Sequence, residues 1–278
     1  MLPWGLGKKD FHWGSRTFVM GILNVTPDSF SDGGDYSSFD KAVLHARQLL
    51  DQGADILDLG GESTRPGASP VSAEEELSRI FPVLRYLLEE TDAVISIDTF
   101  KPEVAAKTLE LGAHLINDIS GLRDPRMLEV LNSFGAPAVA MHMRGTPADM
   151  QIAPAYGDVV EEVREYLSDC LHRAASAGIK KVMVDPGIGF GKSFEQNLAL
   201  LRHLDSLRLP EAPLLVGTSR KSFLGKILDL PASERDEGTS ATVALAIRSG
   251  ADVVRVHDVL SAVRVAKVSD AIVRGQGV

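Results

Sequence analysis

The chain has 278 residues, 44 % hydrophobic and 24 % charged, the balance of an ordinary soluble globular protein long enough to bury a large core unaided. Its formal net charge of −9 argues against a basic nucleic-acid-binding surface, and no apolar run nears the roughly 20 residues that span a bilayer. With one cysteine, Cys170, no disulfide can form within the chain, which fits a reducing, cytoplasmic setting.

The opening stretch MLPWGLGKKDFHWGSRTF carries neither an apolar signal core nor an alanine-type cleavage site. Residues 1–18 are expected to form an extension, a plug or a tail, ahead of one domain over 19–278. The first predicted strand, VMGILN (19–24), ends at Asn24 and runs into a loop, Thr26 to Tyr36, rich in Gly, Pro, Ser and Asp. A helical stretch, FDKAVLHARQLLDQG, leads to the second strand, ADILDLG (54–60), which contains Asp58. A second polar loop follows, Glu62 to Ser72. Both loops exceed the usual strand–helix connection of about 2–6 residues, which makes them candidate lids.

Further strands follow at VISID (94–98), HLIND (114–118), PAVAMH (137–142), KVMVD (181–185), PLLVG (213–217) and DVVRVH (252–257). The stretches between them have apolar residues at helical spacing, and several end at a glycine, as at Gly53, Gly112, Gly178 and Gly250. Continuous apolar strands alternating with helices predict a parallel sheet covered by helices. About eight such units predict a single-domain α/β fold of the (β/α)₈ barrel type. An open doubly wound sheet is the alternative, but it calls for a glycine fingerprint after the first strand, where Asn24-Val25-Thr26-Pro27 stands instead.

Polar residues mark nearly every strand end: Asn24, Asp58, Asp98, Asn117 with Asp118, His142, Asp185, Thr218 to Lys221, and Arg255 with His257. A lone strand-end Asp or Asn often only caps a helix or turn. A whole set converging on one face of a barrel predicts a site. PGIGFGKS (186–193) resembles a phosphate-binding loop but has Pro186 where the first glycine belongs, so it is not one. Its glycines, Gly187, Gly189 and Gly191, still permit close approach to a flat ligand. No zinc-type Cys/His cluster is present. Cys170 lies in an amphipathic helix with no elbow before it and reads as a packed thiol.

The segments MGILNVTPDSFSDGG (20–34), GGESTRPG (60–67), SIDTFKPEVA (96–105), INDISGL (116–122), VDPGIGFGKS (184–193), TSRKSFLG (218–225) and VRVHDV (254–259) together resemble the dihydropteroate synthases. The resemblance implies a barrel transferase of folate biosynthesis, usually a homodimer, and a sulfonamide target. It would join 6-hydroxymethyl-7,8-dihydropterin pyrophosphate to 4-aminobenzoate by an SN1-like path, releasing pyrophosphate, with magnesium as the metal. It implies pterin binding by Asp98, Asn117, Asp185, Gly189, Phe190 and Lys221. It gives the pyrophosphate to Asn24, Arg255 and His257, with Asn24 on the metal, and a catalytic role to Asp185, Lys221, Arg255 and His257. It places the aminobenzoate among Phe30, Thr64, Arg65, Pro66 and Ser222, near the N-terminus of a helix starting at Ser222. The alternatives are a pterin-dependent corrinoid methyltransferase, which needs no pyrophosphate site, and a non-catalytic pterin-binding protein.

Overall fold

Along each predicted strand, residues alternate between two apolar surroundings, and that alternation builds the molecule. The computed structural model describes residues 2–26, 38–63, 69–146, 150 and 155–275. A short antiparallel hairpin, β1 (Trp4–Leu6) and β2 (Lys9–Phe11), comes first. The strands β3 (Phe18–Asn24), β4 (Ile56–Gly60), β5 (Val94–Asp98), β6 (Leu115–Asp118), β7 (Ala138–Met141), β8 (Val182–Asp185), β9 (Leu215–Val216) and β10 (Val253–Val256) follow. They lie in the order β8-β7-β6-β5-β4-β3-β10-β9, all parallel, and a bridge from Val184 to Leu214 joins the two ends. The eight-stranded barrel is thus the observed architecture, and the open sheet is ruled out.

Helices cover the outside: α1 (Ser38–Asp51), α2 (Ala73–Glu90), α3 (Pro102–Leu111), α4 (Pro125–Phe134), α5 (Val159–Ser176), α6 (Phe194–Arg202), α7 (Ser222–Leu228), α8 (Asp236–Arg248) and α9 (Val259–Arg274). Their starts follow local chemistry. Ser72 and Asp158 accept hydrogen bonds from the first turns of α2 and α5, and Ser193 with Gln196 forms a full capping box on α6. Gly112 ends α3 at φ 120°, a conformation that a side chain would strain.

A strand buried on both faces alternates between them with a period of two. Outward residues such as Val19, Leu57, Ile95, Ile116, Ala138 and Val254 pack with Ala46, Ile80, Leu87 and Val104 of the helices. Inward residues begin apolar at the N-terminal end of the barrel: Phe18, Met20, Ile56, Val94, Leu115, Val139, Met183, Leu215 and Val253 form one cluster. Trp4, Leu6 and Phe11 of the hairpin join that cluster from below. The N-terminal residues are therefore a plug that closes the barrel floor. β3 also takes in Phe18, one residue earlier than expected. Moving up the same inward rows, the side chains turn polar: Asp58, Ser96, Asp98, Asn117, Asp185 and Arg255, each two residues or a multiple of two beyond an apolar one.

Candidate active site

Arg255 holds the centre of the polar layer. Its Nε donates to Asp58 Oδ2 at 2.6 Å and its Nη2 donates to Asp98 Oδ2 at 2.7 Å. Asn117 Nδ2 donates to the same Asp58 oxygen at 3.0 Å. Asp58 is fully buried and Asp98 is 9 % exposed, so one guanidinium serves two carboxylates out of water. The second oxygens, Asp58 Oδ1 and Asp98 Oδ1, are buried without a partner. Buried acceptors left open cost free energy, and a ligand edge carrying N–H donors would satisfy them.

The charges respond to this crowding. Burial pushes the Asp98 carboxyl up to about 7, with Arg255 opposing and the Asp58 charge assisting. Burial works against the charge of Arg255, but Asp58 and Asp98 outweigh it and hold its pKa above the ordinary value. On the other side of the barrel mouth, burial raises Asp185 against the pull of Lys221. Burial brings Lys221 down to about 8, with Asp185 opposing and Arg255 adding to the effect.

Asp185 ends β8 and its Oδ1 accepts from the backbone N–H of Gly187 at 2.7 Å. The chain turns sharply there. A Cβ on Gly187 (φ 64°) would stand 1.9 Å from the carbonyl oxygen of His142, so only glycine fits. A Cβ on Gly189 would meet Lys221 Cδ at 2.8 Å. These two glycines let the protein approach itself, beyond the close approach to a ligand that the sequence suggests. Lys221 Nζ donates to the carbonyl of Ile188 and lies 4.8 Å from the centre of the Phe190 ring. Phe190 packs against a small cluster of Ile119, Met141, Met143 and Met150. The structure thus brings Asp98, Asn117, Asp185, Gly189, Phe190, Lys221 and Arg255 to the C-terminal mouth of one barrel.

His257 follows β10, with its Nδ1 2.9 Å from Ser219 Oγ, which also accepts from the His257 backbone N–H at 3.1 Å. This pair of contacts fixes the orientation of the His257 ring against Ser219. Asn24 ends β3 opposite Gly60. Ser222 is the first residue of α7, exposed, on a helix of seven residues. Phe30, Thr64, Arg65 and Pro66 lie outside the described residues. The near side of the second loop is described: Glu62 Oε2 accepts from Lys101 Nζ at 2.7 Å, and Glu62 Oε1 accepts from the backbone of Val71 at 3.0 Å. Lys101 also reaches the fully buried Glu76. Cys170 is buried, its thiol pushed up to about 11 by burial, which suits packing rather than attack.

Four participants, Asp58, Ile119, Met141 and Lys192, carry no assigned role in the sequence reading. Asp58 stands out in sequence only as one more strand-end acid, yet it anchors both Arg255 and Asn117. Ile119 and Met141 line the apolar side next to Phe190, and the inward period of β7 is the signal that would have found Met141. Lys192, discarded with the false phosphate loop, is 3 % exposed and bonded to three carbonyls.

Comparison with known proteins agrees with this geometry. The model of the pterin binding enzyme family matches residues 20–257. The dihydropteroate synthase of Synechocystis sp. is 49 % identical over 276 residues, covering 98 % of this chain and 96 % of that protein. The crystal structure of the Clostridium difficile dihydropteroate synthase, obtained in the presence of pteroic acid, superposes with a TM-score of 0.89 at 48 % identity. It covers 95 % of this chain and 99 % of that one. The Yersinia pestis dihydropteroate synthase, solved with a sulfonamide drug, gives a TM-score of 0.92 at 43 % identity, covering 99 % and 100 %. Polar inward rows, a shared barrel and near-complete sequence coverage lead to one conclusion: the chain belongs to the pterin-binding enzymes, in the dihydropteroate synthase family.

Proposed function

We propose that this chain binds 6-hydroxymethyl-7,8-dihydropterin pyrophosphate in the barrel mouth and transfers its pterinylmethyl group to the amine of 4-aminobenzoate. The observation that carries the reading is the pair of buried, unpartnered oxygens on Asp58 and Asp98, set beside Asn117, Asp185 and Lys221. A reduced pterin presents N–H donors along one edge and a carbonyl acceptor beside them. Asp98, Asn117 and Asp185 receive those donors, Lys221 donates to the carbonyl and adjacent ring nitrogen, and Phe190 covers a face. Charge-assisted bonds of this type contribute about 1.5–3 kcal/mol each.

The pyrophosphate lies toward Arg255 and His257. Arg255 offers the N–H groups that the two aspartates leave, and His257, held by Ser219, stands beside it. Asn24 fits magnesium: it supplies a hard amide oxygen, and Gly60 opposite leaves open the space between Asn24 Oδ1 and the Asp98 side chain. Among the described residues no cluster of carboxylates or imidazoles could hold a metal by itself, so substrate oxygens and water would complete the shell. Bound there, magnesium would neutralise charge on the leaving pyrophosphate.

The aromatic amine of 4-aminobenzoate is unprotonated at neutral pH, so it needs no base and no covalent enzyme intermediate. The protein's task is to ease departure of pyrophosphate from a carbon whose positive charge the pterin ring shares. Arg255 and His257 stabilise the departing anion, and the Asp185 carboxylate faces the cationic ring. The path is SN1-like. Aminobenzoate enters over Phe30, Thr64, Arg65, Pro66 and Ser222, where sulfonamides would compete. Two copies of the chain pair through α8 and α9, supported by the exposed Leu245, Val268 and Ile272. A cytoplasmic location is supported by the unpaired thiol of Cys170. No helix among the described residues is long and apolar enough to cross a membrane.

Pyrophosphate release by the purified chain tests the reading, with pterin pyrophosphate, magnesium and 4-aminobenzoate each omitted in turn. The expected result is release that requires all three, dihydropteroate detected by mass, and competition by a sulfonamide against aminobenzoate. No release with intact pterin binding would shift the assignment to a methyltransferase or a binding protein.

A pH dependence follows from the same site. Pterin recognition needs Asp98 as an acceptor and Lys221 as a donor. Asp98 gains a proton as pH falls through about 7, and Lys221 loses one as pH rises through about 8. The expected kcat/KM for the pterin substrate is a narrow bell with its maximum between these values. Asp98→Asn should flatten the acid limb while lowering the maximum. A plateau extending unchanged to pH 5 would contradict this account.

A further inference from the structure

We infer that Lys192 is a positioning residue for the pterin pocket, clamping the turn of residues 187–190 that sets both Asp185 and Lys221. The inference rests on the proposed pterin reading of the site and adds a residue that reading does not use.

Lys192 sits in PGIGFGKS at the place where a phosphate-binding loop carries its phosphate-binding lysine. Its Nζ does not face the mouth of the barrel. It donates to the carbonyl oxygens of Gly187 at 2.8 Å, Phe190 at 2.8 Å and His142 at 3.3 Å. Three acceptors require three N–H groups, which the ammonium has and the neutral amine lacks. Burial and then the nearby charge of Lys221 push its pKa well below the ordinary lysine value, with Asp185 opposing them, so it is the three-acceptor geometry that calls for the ammonium. No carboxylate among the described residues lies within ion-pair distance of it, so the carbonyl dipoles carry its stabilisation.

Each acceptor belongs to something the pocket depends on. Gly187 supplies the N–H that fixes Asp185 Oδ1 at 2.7 Å. The next residue, Ile188, supplies the carbonyl that receives Lys221 Nζ. Phe190 carries the ring near Lys221. The carbonyl of His142, at the end of β7, ties the turn to the neighbouring strand. From the far side, Asn197 Oδ1 accepts from the Gly189 N–H at 2.6 Å and its Nδ2 donates to Ser193 at 2.7 Å. The turn is thus held between a buried cation and a buried amide. Loss of the cation takes the Lys192 donor from the carbonyls of His142 and Phe190 and leaves that of Gly187 with the Phe190 N–H at 3.0 Å, so the turn is pulled toward new donors for the other two. Such a shift moves Asp185 and Lys221 together, and both belong to the pterin side of the proposed site.

The test separates the two substrates. Steady-state constants and pterin binding by calorimetry would be measured for the parent chain, Lys192→Met and Lys192→Gln, with the melting temperature of each. For Lys192→Met the expected result is a pterin pyrophosphate KM raised at least tenfold and an aminobenzoate KM within twofold of the parent. Lys192→Gln keeps two donors and should recover part of the loss. A folded Lys192→Met with unchanged pterin KM would overturn the inference, as would equal rises in both constants. If Lys192→Met does not fold, Lys192→Gln decides: a pterin KM raised about threefold to tenfold supports the clamp, and an unchanged one overturns it. A parent chain that binds no pterin would instead remove the underlying reading of the site.

Discussion

Replacing Arg255 by methionine is expected to destabilise the fold by about 3–5 kcal/mol and to abolish measurable turnover. The guanidinium is the only charge on the described side chains that pairs with both Asp58 and Asp98, and Asp58 has no contact with solvent. Removing one partner of a buried ion pair strands the other in a medium that does not solvate it. Here two carboxylates are stranded at once. The deficit should depend on pH with a definite sign. Without Arg255 the folded-state pKa of Asp98 rises further above about 7, while in the unfolded chain it titrates near its ordinary value of about 4. The folded variant therefore takes up protons that the unfolded chain does not, and its stability climbs as pH falls from 8 to 6. Urea denaturation at both values would measure this. Asp58→Asn placed on top of Arg255→Met should recover part of the loss. A single-variant loss below 1 kcal/mol at pH 8 would mean that the two pairs carry little of the charge balance.

The second large effect concerns Asp185→Asn. An asparagine oxygen can still accept from the Gly187 N–H, so the turn and the fold are expected to survive. On the proposed reading, what disappears is the negative charge that meets the pterin N–H groups and faces the cationic ring. A charge-assisted bond of this kind is worth about 3 kcal/mol, which predicts a fall of roughly a hundredfold in kcat/KM for the pterin substrate. The aminobenzoate KM should change little. The basic limb of the pH profile should also move to lower pH, because Asp185 is the charge that raises Lys221 against the effect of burial. A loss under threefold would place the pterin elsewhere.

How far the sequence discloses this molecule differs from part to part. The barrel is legible because every strand is buried on both faces and so stands out as an apolar run, with helices of clear periodicity between. The polar ring is legible at strand ends, where Asp98, Asn117, Asp185 and Arg255 interrupt the apolar pattern. Asp58 is harder to weigh, because it falls at the third of five residues in β4, and its importance lies in contacts with residues 59 and 197 positions away. Nothing local announces such contacts; only closure of the barrel creates them. Lys192 shows the opposite difficulty. Its motif is conspicuous but its chemistry is inverted, since the ammonium serves carbonyls of its own turn. The floor of the barrel is ambiguous in sequence because a plug and a loose tail have similar composition. What settles it is the joint burial of Trp4, Leu6 and Phe11 with residues from all eight strands.

That floor has an optical consequence. The chain has two tryptophans, Trp4 and Trp13, and both stand there, edge to face with ring centres 5.1 Å apart and Phe11 stacked on Trp13 at 5.6 Å. The mouth of the barrel, at the opposite ends of the strands, has none. Indole emission and the near-ultraviolet circular dichroism of the coupled rings therefore report whether the bottom of the barrel is assembled, and they do so without direct contact with anything bound at the top. The molecule carries its own folding gauge at the end away from the chemistry.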